Sequence, residues 1–175
     1  MKLGIKCFIA LVVALMASLC VSASDTTTKF KTGPFTGSVD LGMSCDDINI
    51  SKPVQGEWLS GLSYTGYDVK MCGVYIEFYR YDNPTLDLNA NTFGTSITSS
   101  LLSSGANKDT ISLYDREINS KSGAVGSGYI PKYDYTKYMA GFYVSPKSYC
   151  YISIWDNETK MVSALKTINV TEAAT

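Results

Sequence analysis

The sequence predicts an α+β fold in one domain, an antiparallel β-sheet with two short helices packed on it. Three observations predict it. Runs that alternate apolar and polar side chains at period two recur along the chain, most clearly Val74-Tyr-Ile-Glu-Phe-Tyr-Arg-Tyr81. Two other stretches, Phe93 to Ser104 and the one after Trp155, repeat their apolar residues at helical spacing. The order is strands, helix, strands, helix, which places the helices mainly on one face of an antiparallel sheet. No period of 20–50 residues recurs, so solenoids and propellers are excluded.

The chain opens on an export signal. Lys2 and Lys6 precede an uncharged, largely apolar run from Cys7 to Val21, and Val21-Ser22-Ala23 fits a signal-peptidase site. The run is about 15 residues, short of the ~20 that a spanning helix needs. Residues 1–23 are therefore expected to be cleaved, which leaves no membrane span; the alternative is that they stay on as an uncleaved anchor. Leu19 before Cys20 disfavours lipidation of that cysteine. The expected location is secreted or cell-surface.

Residues 24–33 are polar and predict a flexible leader, residues 34–171 the domain, and residues 172–175 a tail. Phe35 to Leu41 predicts a first strand. Residues 42–61, with Gly42, Pro53, Gly56 and Gly61, predict a long loop. Tyr64 to Met71 and Val74 to Tyr81 predict a hairpin turning at Cys72-Gly73, with Val74, Ile76 and Phe78 on one face and Tyr75, Glu77, Tyr79 and Tyr81 on the other. Residues 82–92 predict a loop. Phe93 to Ser104 is rich in Ser and Thr, so tertiary packing has to hold that helix. Thr110 to Ile118 and Ala124 to Ile130 predict a second hairpin, and residues 137–144 and 149–155 a third. Asp156 or Asn157 caps a last helix that runs to about Lys166.

Composition restricts the chemistry. The chain has no histidine, which removes Ser-His-Asp and Cys-His catalysis and histidine-ligated metals. It has 15 basic and 16 acidic residues, and loss of Lys2 and Lys6 leaves the rest near −3 with no basic run, so no nucleic-acid partner is expected. No cofactor and no metal site are expected. Asp87-Leu-Asn89-Ala-Asn91 opens like a calcium loop, but Thr92 and Thr98 stand where Gly and Glu are needed. Asp46 with Asp47, and Asp115 with Glu117, are expected to be solvated rather than catalytic.

Three cysteines follow the leader, and Cys45, Cys72 and Cys150 allow three pairings or none. If the first two domain strands were antiparallel neighbours, Cys45 and Cys72 would lie at opposite ends of the sheet, which disfavours that pair. Asn49, Asn157 and Asn169 open N-glycosylation sequons. All 13 tyrosines follow the leader, and Tyr129, Tyr133, Tyr135 and Tyr138 are expected to form a surface cluster that contacts a sugar or a protein.

The segment from Trp155 through Leu165-Lys166-Thr167-Ile168 to Val170 resembles the closing strand and helix of PsbP/Mog1-like domains. Val39-Asp40-Leu41-Gly42, Tyr79-Arg80-Tyr81-Asp82 and Ala164-Leu165-Lys166-Thr167-Ile168 make most of the chain similar to a family of uncharacterised exported proteins of methanogenic archaea. The resemblance implies a small exported module that acts by binding or as an accessory to a larger complex, with no catalytic residues to carry over. The expected function is thus a non-catalytic binding or accessory module at the cell surface, whose partner is an envelope protein or glycan. The alternatives are a structural surface subunit, or an enzyme that uses carboxylates and tyrosines on envelope polysaccharide.

Overall fold

A computed structural model describes residues 26–57, 62–82 and 90–173. The predicted signal and cleavage site lie outside the described residues, as do Asp87 and Asn89 of the calcium-like loop. From Ala90 onward that segment is helix, so the sharp turn such a loop needs at its sixth position, here Thr92, is not made.

Two antiparallel sheets form the fold. The small one contains β1 (Thr27–Thr32), β2 (Phe35–Asp40) and β11 (Asn169–Glu172), in the order β1-β2-β11. The large one is built from β3 (Ile48–Ile50), β4 (Val54–Glu57), β5 (Ser63–Met71), β6 (Val74–Tyr81), β7 (Ser112–Ile118), β8 (Lys121–Ile130), β9 (Tyr135–Ser145) and β10 (Ser148–Trp155). Its order is β3-β5-β6-β10-β9-β8-β7, and β4 pairs with the other half of β5. Helix α1 spans Ala90–Ser103 and helix α2 spans Glu158–Thr167. The single-domain α+β architecture matches the expectation from sequence.

Alternation divides the large sheet into two faces. Val74, Ile76 and Phe78 of β6 pair with Ile154, Ile152 and Cys150 of β10, and all six are buried on the first face. The small sheet and α2 cover that face. Phe35 stacks on Phe78 with ring centroids 4.5 Å apart, and Met161, Ala164 and Leu165 of α2 join the same core. Arg80 Nε, 2.8 Å from Glu172 Oε1, ties β6 to β11. Helix α1 lies on the second face over β8 and β9, and Phe93, Ile97 and Leu101 are buried beneath it. Gly126 allows this approach, because a Cβ there would sit 2.8 Å from Ile97 Cγ2. The helices therefore lie on opposite faces, not mainly on one as expected: the small sheet already occupies much of the first face, and α1 buries its apolar stripe on the second.

Three other expectations need correction. Residues 27–32 are strand β1, not part of a flexible leader. Its buried positions Thr28, Phe30 and Thr32 alternate with exposed ones, and two threonines there conceal a core face. The 42–61 segment contains β3 and β4. Glu172 belongs to β11 and the Ala173 N–H donates to the Pro34 carbonyl at 2.9 Å, so the chain stays tied to the small sheet where a tail was expected.

Replacing Phe78 by Ala removes the ring shared by both sheets and is expected to cost about 3–5 kcal/mol. Urea denaturation measures this, and a loss below about 1 kcal/mol would show that the two sheets do not depend on that contact.

Candidate functional site

A row of aromatic side chains crosses the second face at the end where β5 turns into β6. Cross-strand register places it: Lys70 is opposite Tyr75, Tyr75 opposite Ser153, and Trp155 opposite Lys137. Tyr135 precedes Lys137 by two residues and so shares its face. Tyr133, in the β8–β9 turn, stacks on Tyr135 with centroids 5.6 Å apart and planes at 7°. Strand spacing and rise put Tyr75 and Tyr135 roughly 15 Å apart, with Trp155 between them. Trp155 is 39% exposed and Tyr133 55%.

A lysine accompanies each platform. Lys70 Nζ lies 5.2 Å from the Tyr75 ring centre, Lys137 Nζ 5.8 Å from that of Trp155, and Lys132 Nζ 5.0 Å from that of Tyr133. Such contacts favour the cation over the ring face and hold both groups in place. The backbone fixes the same end. Asp156 turns with φ 53°, its N–H donates to the Thr136 carbonyl at 2.8 Å, and Asn157 then caps α2 through a bond from the Lys160 N–H at 2.8 Å.

Beside Tyr75 and Trp155 lies a cleft of about 640 Å³, whose polar walls are Asp47, Asn49 and Lys70. The Cys72-Gly73 turn also lines it. Asn49 reaches this face because three-residue β3 pairs with the end of β5, Asn49 opposite Lys70. A disulfide between Cys45 and Cys72, with Cα atoms 5.9 Å apart, pins the approach to β3 against that turn. This overturns the expectation that these two cysteines do not pair. Strand β2 is not a sheet neighbour of β5: it belongs to the small sheet, and residues 41–47 cross from there to the end of β5 where Cys72 lies. The Lys160 ammonium also donates to the Cys72 carbonyl at 2.8 Å.

Further along this face, Glu77 and Asp68 are cross-strand neighbours. Burial pushes the Glu77 carboxyl above the usual glutamate range, and the Asp68 charge adds to this. The bond from Tyr79 Oη, 3.0 Å long, and the Lys137 and Lys70 charges oppose it. Burial lowers the Lys137 ammonium pKa while Glu77 raises it, and Lys137 Nζ donates to Ser104 Oγ at 2.9 Å. Burial, then the Glu77 charge, raises Tyr75, and burial pushes Tyr151 up to about 12. Both phenols are therefore neutral hydrogen-bonding groups at ordinary pH. The arrangement offers flat aromatic faces bordered by donors and acceptors, which is chemistry for binding.

Of the four tyrosines expected to form one cluster, the structure brings together Tyr133 and Tyr135. Tyr138 points to the opposite face, packed on the first core, and Tyr129 shares that side, its hydroxyl donating to Asp134 Oδ1 at 2.7 Å. Cys150 is a buried free thiol whose pKa burial raises. Asn49 and Asn169 are exposed on strands, while the Asn157 side chain is engaged as the α2 cap. Asp115 and Glu117 are exposed on edge strand β7.

Sequence reasoning missed Tyr75, Trp155 and Asn49 as partners of this ledge. Strand phase carried a signal: with Ile152 and Ile154 inward, Trp155 has to face the other way, on the side of Tyr151. No family model, curated protein or solved structure matches the chain. Among the described residues no helix is long and apolar enough to cross a membrane, and no group of three or more acidic or cysteine side chains is placed to hold a metal ion.

The C45A/C72A double substitution is expected to cost about 2–4 kcal/mol, because the bridge restricts the unfolded chain. Urea denaturation of the oxidised protein and of the variant checks this, and equal midpoints would contradict it. Glu77 gives a pH test. A carboxyl whose folded pKa is raised stabilises the fold fully below the ordinary glutamate pKa and loses that contribution as pH rises through the folded value. Glu77→Gln is therefore expected to be more stable than the parent at neutral pH, with the gain vanishing below about pH 4. Denaturation curves at both pH values read it, and a gain that ignores pH would refute the assignment.

Proposed function

We propose that the protein is an exported, non-catalytic binding or accessory module of the cell surface, and that the aromatic ledge is its contact surface. One observation carries this reading: Tyr75, Trp155 and the Tyr133–Tyr135 stack stand along one end of one sheet face, each platform held by a lysine. Exposed aromatic groups held rigidly on strands provide contact area at small entropic cost. The Cys45–Cys72 disulfide is compatible with life outside the cytoplasm, in keeping with the leader-like first 23 residues. The same proposal takes the PsbP/Mog1-like resemblance of the last strand and helix as a relationship of fold. Support for it comes from the α+β architecture and from β10 leading directly into capped α2.

Retention of the purified protein on cell-envelope material tests the contact surface. Tyr75→Ala and Trp155→Ala are each expected to lower retention about ten-fold. Tyr138→Phe, on the other face, leaves it unchanged. Full retention by both alanine variants would move the contact surface elsewhere, and no retention of the parent protein would overturn the envelope-binding reading.

A further inference from the structure

We infer that the ligand of the ledge is an uncharged, linear glycan, laid with its ring faces on Tyr75, Trp155 and Tyr133 and its edge hydroxyls in the cleft beside β3. This rests on the binding reading above and specifies its chemistry.

A pyranose ring has two apolar C–H faces and a rim of hydroxyls. The C–H face suits the negative face of an aromatic ring, and each hydroxyl both donates and accepts. The ledge offers both kinds of contact. Trp155 and Tyr133 are exposed, and Tyr75 is partly exposed. Between and beside them stand an acceptor carboxylate, Asp47, an amide that does both, Asn49, and a donor ammonium, Lys70. A row roughly 15 Å long accepts several successive rings, not a single small molecule.

Two features favour a glycan over a protein partner. Exposed aliphatic side chains that could build the apolar centre of a protein interface are set apart from the ledge: Ile48 and Ile50 alternate away from Asn49 on β3, Leu102 and Leu113 flank the groove between α1 and β7, and Val54 stands opposite Gly66, four residues along β5 from Lys70. On the ledge the apolar area is aromatic and polar groups interrupt it. Charge favours an uncharged chain. The ledge lysines are already placed over rings, and Asp47, Asp68 and Glu77 stand near them, so the surface has no surplus of either sign for a polyanion or a polycation.

The test uses the whole purified protein and isolated envelope material treated in two ways. Periodate, which cleaves vicinal diols, is expected to abolish retention, and exhaustive proteolysis is expected to leave it. Retention is expected to change less than two-fold between low and molar salt, because stacking and neutral hydrogen bonds are not screened. A panel of neutral linear oligosaccharides supplies a defined ligand, with Trp155→Ala weakening binding about ten-fold and Trp155→Phe restoring most of it. Melting curves confirm that both variants fold. Protease-sensitive, periodate-resistant retention would overturn the glycan and leave the binding module standing. Retention lost in salt would replace the uncharged glycan with a charged one. No retention by untreated envelope would overturn the module itself.

Discussion

The pairing of β6 with β10 decides what every other part of the molecule meets. Its register runs from Val74 opposite Ile154 to Arg80 opposite Ser148. Because side chains alternate, this pairing sends Val74, Ile76, Phe78, Cys150, Ile152 and Ile154 to one face, and Tyr75, Glu77, Tyr79, Tyr149, Tyr151 and Ser153 to the other. A slip of one residue in either strand would exchange its two sets. The first set is apolar enough to need a second layer, and the small sheet supplies one through Phe35, Phe30 and Val39. The second set is too polar for that. Part of it closes into a tyrosine cluster under α1, where Tyr81 and Tyr149 share a hydrogen bond, and the rest remains partly open.

The ledge follows from this division. Tyr75 and Trp155 stand on the tyrosine face because Val74 and Ile154 stand on the other. The molecule then fastens the end that carries them. The disulfide ties the loop before β3 to the β5–β6 turn, Lys160 reaches from α2 to the Cys72 carbonyl, and the Asp156 N–H closes onto β9. Three separate restraints converge on one end of the sheet, where the aromatic platforms are. Fixing such groups before they meet a partner removes an entropic cost of association.

Much of the fold was legible in the sequence where hydrophobic pattern and burial coincide. Strand β6, the hairpin of β9 and β10 and the Asn157 cap follow from alternation and local hydrogen bonding. Helix α1 was legible despite weak propensity, because Phe93, Ile97 and Leu101 keep helical spacing. Strand β1 was not, since threonine fills two of its three buried positions and carries no apolar signal. Nor was β11, a four-residue strand whose only fully inward residue is Val170. The Cys45–Cys72 bridge was hidden because it depends on β2 and β5 belonging to different sheets, a property of long-range pairing. The site was half legible: Tyr133 and Tyr135 advertise themselves in a loop, whereas Tyr75 and Trp155 join them only once the order β6-β10-β9 is known.

Heteronuclear NMR of the protein during titration with a soluble neutral oligosaccharide tests the central claim most directly. The account predicts shifts confined to Asn49, Lys70, Tyr75, Tyr133, Tyr135 and the Trp155 indole, one contiguous end of the tyrosine face. Shifts that gather instead in the groove between α1 and β7, or on the small sheet, would contradict it.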